Sequence, residues 1–157
     1  MKKLENEQFN KKIKKVYSQD MIEYFLESET PSKKNQRIFN TKTHRCFPSA
    51  KYKAWHEYAE LALKAKIKEC IENKCYIILI FCHGDNIRRD SDNGVNSIFD
   101  MLQDISAITD DRWQIVRHHH VFNTYEKNKP WCKIMIFKPE EKENYKAALI
   151  NCIEQYE

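Results

Sequence analysis

Glycine is nearly absent from this chain of 157 residues, which contains only Gly84 and Gly94. A loop that cradles phosphate on its backbone N–H groups needs several glycines in a short span. The P-loop and dinucleotide-binding folds are therefore excluded, and a nucleotide cofactor with them. Long apolar runs are missing as well. The longest, residues 75–82 (CYIILIFC), has eight residues, against the roughly 20 that a membrane-spanning helix requires. Charged residues continue from Lys2 onward with no apolar stretch behind them, so no signal-peptide pattern opens the chain. These absences lead to the expectation of a soluble, cytoplasmic protein without a membrane partner. Paired C-x-x-C spacing is also lacking. Cys46, Cys70, Cys75, Cys82, Cys132 and Cys152 are scattered, which argues against a zinc or redox motif and for reduced, mostly buried thiols.

What the chain does have is charge, unevenly placed. Its net charge is +4. Residues 31–66 carry nine Lys or Arg against Glu57 and Glu60, a balance of +7, whereas residues 140–157 carry five Glu against two Lys, a balance of −3. A basic front and an acidic tail suit a polyanionic partner on one face and solvent on the other. Six lysines against two glutamates in residues 1–15 make a basic N-terminal extension. Residues 1–19 are assigned to that extension and residues 20–157 to one domain, with 137–157 as an added C-terminal helix. A chain of this length buries roughly 70% of its unfolded surface.

Periodicity gives the element order. Residues 21–27 (MIEYFLE) read as a strand, and the polar, basic residues 33–47 as a long loop. Ser49 is a good N-cap for a helix over residues 50–72, whose apolar positions recur at three and four. Residues 75–82 suit a strand buried on both faces, and residues 83–86 a turn. A second amphipathic helix follows from Asp92 to about Ser106, with Val95, Ile98, Phe99, Leu102 and Ile105 on one stripe and Asp92, Asn96 and Asp100 one turn apart beside it. Residues 113–122 and 131–137 read as strands joined by a hairpin loop, and a last helix runs from Pro139 to Tyr156. The fold class is α/β with α+β character: one domain, a mixed sheet and helices packed on it.

The most informative stretch is residues 88–111, RRDSDNGVNSIFDMLQDISAITDD. It sets Asp90 and Asp92 after Arg88 and Arg89, then a helix, then Asp110 and Asp111. Carboxylates gathered from both ends of a helical segment suit a hard cation, because magnesium takes oxygen ligands. Arginines beside them suit phosphate. Taken alone, D-x-D at a helix start caps more often than it binds metal. In His118-His119-His120 only alternate residues share a face, so surface or dimer-edge histidines are expected there, and His83 is a weak candidate from the preceding turn.

Arg89-Asp90-Ser91-Asp92-Asn93, with Asn96, Asp100 and Asp110-Asp111 downstream, resembles the RusA-type Holliday-junction resolvases. Pro31-Ser32-Lys33-Lys34-Asn35 is similar to the family's turn after its first strand, and residues 49–55 to the start of its first helix. The resemblance covers roughly residues 21–137. It implies a homodimer of RusA-like subunits that binds four-way DNA junctions and, with Mg2+, nicks two opposed strands, so that protein and junction share twofold symmetry. It implies Asp90, Asp92 and Asp111 as catalytic metal ligands; beside them, Asp110 reads as a group supporting those ligands from behind or as a turn residue, and Asp100 as solvent-facing. It also puts Asn96 where the family usually has an active-site lysine. A neutral amide can donate a hydrogen bond but cannot offset charge growing on phosphate. Either Arg88, Arg89 or Lys51 substitutes, or the chain is a weakened module that binds junctions without cutting them. Lys33, Lys34, Arg37, Lys42, Arg45, Lys51 and Lys53, with Arg88 and Arg89, would track the DNA backbone. Phe39 and Phe47 could stack on bases, while Tyr52 and Trp55 suit a core or dimer contact.

Overall fold

Cys75–His83 (β4) organises the molecule, because side chains alternate across a strand and here both sets are apolar. The structure, a computed structural model, describes residues 21–156 apart from Gln36; the N-terminal extension expected over residues 1–19 lies outside them. On one side of the sheet, Cys75, Ile77, Leu79 and Phe81 join a large buried cluster. On the other, Ile78 and Ile80 join a smaller one with Met135 and Phe137.

The elements in chain order are β1 (Ile22–Leu26), β2 (Arg37–Asn40), β3 (Arg45–Pro48), α1 (Ala50–Lys64), β4, α2 (Ser91–Asp104), β5 (Val116–Tyr125), β6 (Trp131–Phe137) and α3 (Lys142–Tyr156), the last entered through a 3-10 turn at Pro139–Glu141. The main sheet has the order β1-β6-β4-β5. β4 runs parallel to β5 and antiparallel to β6, with Leu79 facing Val121 on one side and Ile134 on the other. Helices α1 and α2 supply Tyr52, Trp55, Ala59, Leu63, Val95, Ile98 and Leu102 to the large cluster, and α3 supplies Tyr145, Ala148 and Cys152 to the small one. The mixed sheet with helices on it is as expected.

Four boundaries differ from the sequence reading. Residues 33–47 are not all loop: β2 and β3 form a separate two-stranded hairpin. Its exposed strands bury nothing and so leave no alternating pattern; the turn instead rests on Asn40 Oδ1, which accepts the Lys42 and Thr43 N–H groups at 2.9 and 3.1 Å. Helix α1 stops at Lys64 rather than Glu72. Ile71 is drawn into the core by pairing with residues 107–109: its N–H donates to Ala107 O, and its carbonyl accepts from Thr109 N, both at 3.0 Å. β5 begins at Val116, because residues 112–115 form a turn that leaves Trp113 exposed.

The fourth correction concerns β5 and β6, which are not hairpin partners: β4 lies between them. The wholly apolar strand takes an inner position, and the histidine-bearing strand takes the edge. Residues 126–130 cross the end of β4, where Asn128 N–H donates to Gly84 O at 2.8 Å. A Cβ on Gly84 would lie 2.8 Å from Cδ of Pro130, so this crossing requires glycine.

The histidine run divides as strand alternation dictates. His118 stacks on Tyr76 and His120 lies against Tyr145, on the α3 side, whereas His119 meets Phe99 of α2 edge-on. Burial, followed by the neighbouring His118 and His119 charges, lowers the His120 pKa. The unfolded chain then takes up this proton at a higher pH than the folded chain does. Stability should therefore fall as pH drops through the ordinary histidine value of about 6.5 toward the lowered folded one. Thermal melts of His120→Gln across this range should show a shallower pH slope than the unaltered protein.

All six cysteines are free, and Cys75, Cys82, Cys132 and Cys152 are buried. Burial pushes the Cys75 and Cys152 thiols up to about 11. No described helix is long and apolar enough to cross a membrane.

Candidate active site

Helix α2 begins where β4 delivers the chain to its open end. Asp90 takes the N-cap position with φ −79° and ψ 133°, but its carboxylate does not cap the backbone; it accepts from Asn93 Nδ2 at 3.3 Å. Asp92 sits in the first turn, where exposed N–H groups favour negative charge. Gly94 lets the helix settle on the sheet, since a Cβ there would come 3.1 Å from the Phe81 ring. With Val95, Ile98, Phe99 and Leu102 turned inward, Asp92 and Asn96 fall on the flank. Asn96 Nδ2 donates to the Asp92 carbonyl at 3.1 Å.

The far end of α2 brings in the second acidic pair. Ser106 takes a positive φ of 60°, and the chain turns so that Ala107 N–H donates to Leu102 O at 2.8 Å. Asp110 is a turn residue, accepting the Arg112 N–H at 2.9 Å and pairing with its guanidinium at 3.6 Å. Asp111 has no such partner among the described residues.

Between α2 and β5 lies a cavity of about 520 Å³. Asp92, Asn96, Asp111, Lys34 and His119 give it polar walls, and Val95, Phe99 and Val121 an apolar floor. Two of the three expected ligand carboxylates therefore line one space. Asp90 is at its margin, outside the lining, and no three described His, Cys, Asp or Glu side chains form a ready-made metal group. Among the described residues, neither Asp92 nor Asp111 uses its carboxylate in a hydrogen bond or ion pair. Unpaired oxygen donors of this kind fit magnesium, which is commonly held by one or two carboxylates, with water and substrate phosphate completing its shell.

Lys34 reaches the cavity because α2 holds the preceding loop. The fully buried Ser97 hydroxyl donates to Pro31 O at 2.7 Å and accepts the Lys33 N–H at 3.1 Å. Lys33 Nζ pairs with Asp100 at 2.6 Å, so Asp100 is paired rather than merely solvated. Ser32 Oγ accepts the Asn35 N–H at 3.1 Å and closes the turn. Ser97 escaped the sequence reading, although a hydroxyl among Val95, Ile98 and Phe99 is the available signal. His119 escaped it too, since the run of three conceals which one faces inward.

The remaining candidates divide by partner. Arg89 is held by Asp85 at 2.6 Å and Glu29 at 3.6 Å, and its hydrogen bond holds the Asp85 carboxyl down at about 2. Glu29 also meets His83 Nδ1 at 2.7 Å and accepts the Gly84 N–H at 3.1 Å. With Asn123 Oδ1 3.0 Å from its Nε2, His83 braces this loop. Arg88, Lys51 and Lys53 are exposed outside the cavity lining. Arg37, Lys42 and Arg45 stand on the hairpin beside exposed Phe39 and Phe47. Tyr52 and Trp55 are core, and burial pushes the Tyr52 phenol up to about 12.

The family model described as Endodeoxyribonuclease RusA matches residues 28–137. The chain belongs to the RusA family. No curated protein matches it. The RusA match takes in the loop carrying Lys34, both acidic pairs and β4 to β6, and ends at Phe137, before α3. RusA proteins are endodeoxyribonucleases that act on branched DNA and resolve Holliday junctions, generally with a divalent metal.

Proposed function

We propose that this RusA-family protein is a magnesium-dependent endonuclease that resolves four-way DNA junctions by symmetric nicking, acting as a homodimer. Asp92 and Asp111 would hold the ion, with Asp90 as the third ligand once it gives up its contact with Asn93. The observation that carries this reading is the pair of unpartnered carboxylates, Asp92 and Asp111, on one cavity beside a lysine. A divalent ion held there would polarise the scissile phosphate and lower the pKa of a bound water.

The protein's own side chains do the rest. Arg37, Lys42 and Arg45 on the hairpin, with Lys51, Lys53 and Arg88, are exposed cations suited to backbone phosphates. Each phosphate they neutralise steepens the salt dependence of binding by about 0.9 log units per log unit of salt. Phe39 and Phe47 offer faces on which unpaired bases at the crossover can stack. Val95, Phe99 and Val121 add apolar lining to the same cavity.

A synthetic four-way junction with labelled strands tests the proposal. Nicks at symmetry-related positions with magnesium, and none with EDTA, are expected. The neutral amide at Asn96 favours a second reading, a junction-binding module that cuts poorly. Tight binding without nicks would establish that reading and overturn the first.

A further inference from the structure

We propose that Lys34 supplies the positive charge at the scissile phosphate, delivered from the loop after β1 rather than from helix α2. This rests on the nuclease reading above and assigns one cation a role that the others do not share. Among the described residues lining the cavity, Lys34 is the one with a permanent positive charge. It has no ion-pair partner among the described residues. The obvious competitors are occupied or elsewhere: Lys33 is bound to Asp100, Arg89 to Asp85 and Glu29, and neither Arg88 nor Lys51 lines the cavity.

The loop is also fixed in the manner a charge-stabilising group requires. Ser97 grips the backbone on both sides of Ser32, at Pro31 O and Lys33 N, and Asp100 anchors the Lys33 side chain. Residues 31–33 are thus fastened to the helix that carries Asp92 and Asn96, which holds the adjoining Lys34 in the lining of the cavity before any substrate arrives. A preorganised charge costs no rearrangement when the reaction occurs.

Charge balance gives Lys34 its task. One divalent ion offsets two of the three carboxylates proposed to hold it, and a phosphodiester adds a negative charge that grows as water attacks. In that step a water oxygen bonds to phosphorus and one ester P–O bond breaks. The water loses its proton to solvent, and the departing oxygen takes one back. Lys34 neither gains nor loses a proton; its ammonium offsets charge on the phosphate oxygens, which the Asn96 amide cannot do.

The experiment first maps the phosphate nicked by the unaltered protein in magnesium; failure to nick there overturns the nuclease reading itself. Lys34→Ala is then compared with Lys42→Ala under single-turnover conditions at saturating protein. The expected result is a roughly 10²-fold slower nicking step for Lys34→Ala at saturating protein, beyond an affinity loss of about tenfold. Lys42→Ala should weaken affinity, and its saturated rate should fall far less than that of Lys34→Ala. Asn96→Lys added to Lys34→Ala should recover most of the loss. A second measurement reads binding alone, in calcium, on a junction whose mapped phosphate is an uncharged methylphosphonate. That change should weaken the unaltered protein and Lys42→Ala by about tenfold but Lys34→Ala far less, because the partner charge is already gone. Normal nicking by Lys34→Ala, or an equal methylphosphonate penalty in all three proteins, would overturn the inference while leaving the nuclease reading in place.

Discussion

Asparagine in place of Asp92 or Asp111 should slow junction nicking by roughly 10²–10³-fold, the scale expected when a group that organises charge at the reacting centre is lost. Asparagine keeps the volume and one oxygen of the carboxylate but removes the charge a hard cation requires. Neither side chain has a partner among the described residues, and both are exposed, so melting temperatures should stay within about a degree or two of the unaltered protein. Junction affinity in EDTA should hold or improve, since a negative charge facing phosphate has been removed. Normal nicking by both variants would dismiss the carboxylate assignment. Asp90→Asn belongs in the same series. A loss as deep as the other two would put Asp90 on the metal, and a loss under about tenfold would leave it as the partner of Asn93.

The second large effect is on stability. Leu79→Ala should cost about 3 kcal/mol, within the roughly 2–5 kcal/mol range for burying a cavity where a leucine stood. Leu79 is completely buried at the centre of β4, between Ile134 and Val121, so no mobile element can collapse into the space. Against a total stability of roughly 5–15 kcal/mol, this change should lower the melting temperature by about 6–12 °C at this size. Thermal denaturation followed by circular dichroism measures it directly. A shift below 2 °C would mean the inner strand is not the packing centre described.

Where apolar side chains repeat, the sequence declared the fold. β4 is readable as an unbroken apolar run buried on both faces, and α2 because burial of one helix face imposes a period of about 3.6 residues. The hairpin at Arg37–Pro48 has exposed strands and therefore reads as loop. The helical pattern of α1 runs on past Lys64 in the sequence because Ile71 is apolar for the sake of residues 107–109, a partner far along the chain. Strand order failed for the same reason: adjacency in sequence suggested that β5 and β6 pair, whereas the apolar content of both faces of β4 sets it between them. At the site, the spacing of Asp92 and Asp111 was legible. What could not be read was Lys34's place beside them, because it depends on a single hydroxyl at Ser97.

Three consecutive histidines at an alternating edge strand carry a consequence of their own. His119 and Val121 look toward the cavity, and His118 and His120 toward α3. Should β5 slip by one residue, every side chain would exchange sides, yet an imidazole would still stand at the cavity wall in either phase. The wall is thus insured against a shift in strand phase, a protection the single lysine opposite does not have.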